Sequence, residues 1–405
     1  MPKMSSFATK VLSAVGNRQT MLVEFLDRFD NPDVYPTPNI NGDGYGTYVG
    51  TDGNYCVVGA SSEGSAAGGS VGVVYIWDLS TETLLHTLNS PTGTPLDGFG
   101  FSVAMSGNYA FIGSALYNNG GNSGRLYIYN VVSGSLVKTI ENPNAYGSTA
   151  GDKFGREIAA SGNYVIVGVQ EEDDAGGTDS GKAYIFKTTN GTWSDASLVY
   201  TLNNPNPYGT SAYDSFGEAV AISGNYAIVG AGSEDNDNGI FGRAYIYNVT
   251  NGSLVYTLTD PDTGALSNFG TAVDIRGNYA IVGRPSAGGK AYIFKTDNGT
   301  WSDTALYQTL DNPNDYSDDA DSFGIKVALT DRHAVVSASS EAEVGYTYVG
   351  KIYIFDKNSG GRTQTISNPT VSTFDQFGKD ISAGSNYLVI GSSYNPALHA
   401  YRILK

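Results

Sequence analysis

The chain has 405 residues, with 40 acidic against 23 basic side chains and a net charge of −17. That charge repels nucleic-acid backbones and anionic membranes, so polyanionic partners are excluded. No apolar run approaches the length of a membrane span, and 52 glycines with 29 tyrosines point to turns and half-buried strands rather than to helices.

Residues 1–20 lack the uninterrupted apolar stretch and small-residue cleavage site of a secretory signal, since Lys10 and several polar residues break it. The N-terminus is therefore expected to be kept. Phe7, Val11, Leu12 and Val15 fall on one helical face, with Ser5 as N-cap and Gly16 as stop. A helix this short is marginal alone and needs something to pack on. Both the chain's own body and another protein subunit are open as its docking surface.

Beyond residue 20 the chain repeats itself. A tyrosine-containing turn before a short β-branched run recurs at Tyr55, Tyr109, Tyr164, Tyr226, Tyr279, His333 and Tyr387, at spacings of 53 to 62 residues. Ten residues before each stands an aromatic followed by glycine, from Tyr45-Gly46 and Phe99-Gly100 to Phe377-Gly378; four residues after comes another glycine, replaced by Ser337 in the sixth unit. Each unit reads as four strands. Phe216 to Ile222 is the first, and Tyr226 to Val229 follows the tight Ser223-Gly224-Asn225 turn. Aromatic runs such as Tyr245-Ile246-Tyr247 form the third strand, and runs such as Leu198 to Leu202 the fourth.

Units of this length and strand content predict an all-β, seven-bladed β-propeller of four-stranded antiparallel blades. The seventh unit ends after its third strand, at Ala400 to Ile403. Its missing fourth strand is supplied from the other terminus, because Phe25 to Pro32 aligns with Leu198 to Pro205. This latch closes the ring and removes an open sheet edge. The domain reading is thus 1–20 as a docking segment and 21–405 as the propeller.

The D-x-F-G step (Asp97 to Gly100, Asp152 to Gly155, Asp214 to Gly217, Asp321 to Gly324, Asp375 to Gly378), joined to Val-Gly-Ala at Val58 to Ala60 and Val229 to Ala231, resembles the FG-GAP repeats of integrin α-subunit-like propellers over roughly residues 25–405. The resemblance implies the fold and leaves the function open. Integrin-type repeats carry calcium in an acidic loop between the first and second strands. Here that connection is the short Ser-Gly-Asn-Tyr turn, as at Ser106 to Tyr109, with too few carboxylates for an ion that takes six to eight oxygens. Neither metal nor cofactor is expected.

The repeated Asp of D-x-F-G is assigned to the scaffold, capping its own turn through side-chain to backbone hydrogen bonds. His86, His333 and His399 show no metal-ligand spacing, and Cys56 reads as a buried, inert thiol. With no nucleophile elbow, zinc motif or phosphate loop, the chain is not expected to be an enzyme. Candidate binding residues lie where the repeat breaks down. One face carries the connections between second and third strands and between blades, with Tyr146, Tyr208 and the acidic clusters around Asp173, Asp235 and Asp318, read as a solvated surface or a site for a cation or a basic partner. The other face carries Trp193 and Trp301 in near-duplicate turns, expected to pack on their own hairpins or to stack on sugar rings and anchor a partner.

The leading functional expectation is a non-catalytic structural or adhesive propeller, exposed on a virion as a phage tail- or capsid-attached appendage and contacting the host surface or a neighbouring subunit. The alternative is a cellular or secreted propeller that binds cell-surface carbohydrate or protein. An enzyme working in the axial channel ranks third.

Overall fold

The computed structural model describes residues 23–404, except 33–42, 65–69, 118–122, 145–150, 174–176, 207–210, 237–238, 241, 263–266, 287, 315–320, 344 and 394–395. Within them each repeat forms a four-stranded antiparallel sheet with its strands in sequence order, seven in all, and there is no α-helix. Blade 4 shows the pattern, with strands Ala219–Ser223, Tyr226–Ala231, Arg243–Asn248 and Ser253–Thr259. The turn between its first two strands places Gly224 at φ 58°, where a side chain would be strained.

First strands begin later than the sequence suggests. In blades 3, 4 and 5 pairing starts at Glu157, Ala219 and Ala272, after the aromatic-glycine pair. In blades 1, 2 and 6 the pair joins the strand only through an irregular register. The cause is the glycine, which takes a positive φ in every blade and turns the aromatic before it out of the ladder. All seven of these aromatics are fully buried. In blades 2 and 3, for example, Phe99 and Phe154 meet Tyr127 and Tyr184 of the third strand edge-on.

Burial is organised between blades rather than around one centre. Seven apolar clusters each join two neighbouring blades. The second-strand glycine locks each seam. A Cβ on Gly59, Gly113, Gly168, Gly230 or Gly283 would lie 1.9–2.1 Å from the carbonyl oxygen of the aromatic-glycine pair in the next blade, an impossible contact. Gly391 of blade 7 meets Gly46 of blade 1 in the same way, at 1.8 Å. Ser337 breaks the glycine rule in blade 6 by turning the contact into a hydrogen bond, its hydroxyl donating to the Gly378 carbonyl at 2.5 Å.

The ring closes as expected. Val23–Asp30 pairs antiparallel with Ala397–Ile403, from Val23 opposite Ile403 to Asp30 opposite Ala397, and completes blade 7. Phe29 of this strand lies 4.9 Å from Trp77 of blade 1, so the latch also belongs to the closing seam.

Candidate functional site

The face bearing the inter-blade connections is held by buried polar bonds. Asp152 accepts hydrogen bonds from the side-chain amides of Asn142 and Asn144, each at 2.8 Å, and Asp214 from Asn204 and Asn206, each at 2.7 Å. Asp321 and Asp375 take Asn314 and Asn368 in the same manner. The D-x-F-G aspartate is therefore scaffold, and its role reaches beyond its own turn, where Asp375 also accepts from the Ser372 hydroxyl. It clamps the Asn-Pro segment by which the chain leaves the preceding blade.

A second set of bonds corrects the reading of the acidic loops. Glu172 and Glu234 are buried, not solvated. Glu172 accepts from the Tyr184 hydroxyl at 2.5 Å and from Lys182 at 2.8 Å, and Glu234 from Tyr245 at 2.5 Å and from Arg243. Glu63 with Tyr75 and Glu341 with Tyr353 repeat the motif. Burial raises the carboxyls of Glu172 and Glu234, the latter to about 7, against the opposing pull of these partners. Asp173 and Asp235 remain exposed. Tyr146, Tyr208 and Asp318 lie outside the described residues, as do Phe7, Val11, Leu12 and Val15.

The tryptophans are also corrected. Trp193 is 1 % exposed and Trp301 0 %, so neither ring is available to a sugar or a partner. Nor do they pack only on their own hairpins. Trp193 meets Phe111 of blade 2 edge-on at 4.7 Å, and Trp301 lies 6.4 Å from Tyr226 of blade 4. Both sit at positive φ, 63° and 65°, and this backbone twist delivers the ring to the preceding blade. Asp195 and Asp303 close the two turns through Thr188 and Thr296.

His399 is buried against Phe377, and burial lowers its imidazole to about 3. Cys56 is fully buried, which pushes its thiol up. Among the described residues no three His, Cys, Asp or Glu side chains converge as metal ligands, and no helix is long and apolar enough to cross a membrane.

Two groups escaped the sequence reading. Leu96, Tyr213 and Phe374 each directly precede the aspartate of D-x-F-G; they are 69 %, 65 % and 51 % exposed, at φ 68°, 65° and 69°. Blade 3 has Gly151 there, the available clue that this position is left-handed. Tyr348, at φ 55°, stacks on Phe374 at 5.5 Å and 17°, beside exposed Tyr346 and Val371. The second group lines a cavity of about 540 Å³ along the axis. Here Glu157, Lys326, Asp380 and Tyr48 approach the face of the long loops. Burial raises Glu157 and Asp380 and keeps Tyr48 protonated, and Lys326 is raised chiefly by Glu157. Glu218 rises to about 7 and Asp274 to about 6 by burial.

Several of these channel carboxylates serve the ring itself. Asp274 accepts the Leu329 N–H of the next blade at 2.6 Å, and Asp380 the Val49 N–H at 2.8 Å. Glu218 accepts the Gly232 N–H of its own blade. Among the described residues Glu157 has no such backbone duty. The clue in the sequence was the pair of residues after each aromatic-glycine step, which vary while their surroundings repeat.

Comparison with known families agrees with this geometry. Residues 87–129, 145–186 and 207–247 match the family model of the FG-GAP repeat. The chain carries FG-GAP repeats. The matched FG-GAP segments end in the third strands of blades 2, 3 and 4, and the two halves of the motif are the surfaces that interlock: the Phe-Gly of one blade sits on the Gly-Ala strand of the blade before it. No curated protein matches the chain.

Proposed function

We propose that this FG-GAP propeller is a non-catalytic structural or adhesive module, displayed on a virion as a tail- or capsid-attached appendage. Its loop face contacts the host surface or a neighbouring subunit. The observation that carries the attachment reading is the set Leu96, Tyr213 and Phe374. A left-handed residue with a side chain costs about 1–2 kcal/mol that glycine avoids. Gly151 meets the same backbone requirement in blade 3, yet blades 2, 4 and 7 keep Leu96, Tyr213 and Phe374 there and expose them. Strain retained without burial marks a surface used for contact. A rigid ring also presents such loops with little loss of entropy on binding.

The non-catalytic reading is supported by the duties of the channel carboxylates Asp274 and Asp380, which hold backbone N–H groups. FG-GAP propellers are also typically non-catalytic. Residues 1–20 would fix the module to its particle. Mass spectrometry of purified particles should find the chain, and a chain beginning at residue 21 should fail to assemble onto them. Recovery only as a free or secreted protein would instead favour the cellular or secreted binding propeller. The triple variant Leu96→Gly, Tyr213→Gly, Phe374→Gly should assemble normally and attach to host cells at least about tenfold less, the equivalent of about 1.4 kcal/mol. Unchanged attachment would remove the loop face from the reading, and turnover of any glycoside would remove the non-catalytic assignment.

A further inference from the structure

The axial channel carries a reading independent of attachment by the loop face. Tyr48, Glu157, Lys326 and Asp380 belong to blades 1, 3, 6 and 7, and each stands two residues after the glycine of its aromatic-glycine pair, so the four share one level of the channel. The Lys326 ammonium is 3.7 Å from Asp380, and its strongest electrostatic partner is Glu157. Blades 3 and 6 are not neighbours. That attraction therefore acts across the axis, with both side chains projecting into the lumen.

These groups are not saturated by the protein. Among the described residues Glu157 accepts no hydrogen bond, and the ion pair of Lys326 with Asp380 is longer than a hydrogen bond. An ammonium offers three donors and a carboxylate about four acceptor positions. At the same level blades 4 and 5 present only Ala219 and Ala272. At this level the channel thus sets charged and hydroxyl groups opposite two methyl groups, while Asp274 and Arg276 of blade 5 line the same cavity further along. Its volume of about 540 Å³ falls in the range that holds small ligands, about 300–1,000 Å³.

The mixture of signs selects the ligand class. A simple anion meets Glu157 and Asp380, and a simple cation meets Lys326, so either is opposed by part of the wall. A neutral polyhydroxylated molecule meets no such opposition. Its hydroxyls donate to the carboxylates and accept from Lys326 and Tyr48, while its C–H face lies on the alanines. We infer that the loop-face mouth of the channel binds a single neutral sugar residue, held by Tyr48, Glu157, Lys326 and Asp380.

The test is calorimetric titration of the full-length chain with glucose, galactose, mannose and N-acetylglucosamine, with glycine as a zwitterionic control. At least one sugar should bind saturably. Glu157→Gln and Lys326→Met should each weaken it about tenfold, the loss of one hydrogen bond to a charged group. Tyr48→Phe, which removes only a hydroxyl, should weaken it in a fold left intact. Phe374→Gly, which alters attachment, should leave sugar binding unchanged, so the two readings fail separately. No saturable binding of the four sugars at about 10 mM, binding that survives the Glu157→Gln, Lys326→Met double variant, or tighter binding of glycine than of any sugar would overturn the inference.

Discussion

Trp193 and Phe374 are both large aromatics forced into left-handed backbone, at φ 63° and 69°, yet one is sealed in a seam and the other is half exposed on the surface, stacked on Tyr348. At Trp193 the strain is offset locally: the twist carries the indole into the cluster shared by blades 2 and 3, where burial of an aromatic outweighs the conformational cost. At Phe374 the ring stays 51 % exposed and stacks on Tyr348 instead of being sealed. The backbone bond from Phe374 N–H to the Thr347 carbonyl, 2.9 Å, would form equally well with glycine. Similar strain therefore has opposite readings, scaffold in one case and, in the proposed function, contact surface in the other, and only the surroundings of the side chain separate them.

The sharpest way to break this comparison is to remove the side chains. Trp193→Ala or Trp301→Ala should cost about 3–5 kcal/mol in urea unfolding, as for other buried large aromatics. A loss below about 1 kcal/mol would mean the rings do not support the seams. A smaller effect should separate buried from exposed groups through pH. Glu218 and Glu234 titrate near 7 when folded, against 4.5 for a free glutamate. The native state then holds the extra protons, so stability is full below about pH 4.5 and falls as pH rises through 7. His399, lowered from 6.5 to about 3, works the other way, losing stability as pH falls below about 6.5; His333 is lowered in the same direction. The two contributions oppose each other between about pH 4.5 and 6.5, so the melting temperature should fall through the carboxyls alone from about pH 6.5 to 7 and through the histidines alone below about pH 4.5. His399→Phe should lessen the loss as pH falls below about 4.5, and Glu218→Gln the loss between about pH 6.5 and 7; a profile unchanged in both would contradict the assignment. Smallest should be Tyr213→Gly and Phe374→Gly. Relief of about 1–2 kcal/mol of strain against about 0.5–1 kcal/mol of glycine entropy predicts stability equal to the parent or up to about 1.5 kcal/mol higher. Marked destabilisation would show that these side chains serve the fold.

Much of the architecture was legible because repetition amplifies weak signals. One aromatic-glycine step says little, but seven in register give blade number, strand order and the latch at Phe25 to Pro32. Candidate sites were read less well, since a lone residue has no such averaging. Trp193 and Trp301 looked like surface aromatics because they lie in polar turns, and only the neighbouring blade reveals their burial. Glu172 and Glu234 looked solvated because they stand among other acids, whereas their partners Tyr184 and Tyr245 come from the third strand.

The sequence by itself determined the seven blades, the four strands of each, the closure by the N-terminal strand and the scaffold role of the shared Asp, Phe, Gly and Tyr residues. Those properties are periodic and local, set by turns, alternation and spacing. Tertiary structure alone decided which aromatics are buried, which acids are paired, and that Tyr48, Glu157, Lys326 and Asp380 meet on the axis. Closing a ring brings residues hundreds of positions apart to one level, and no local pattern in the chain encodes that convergence.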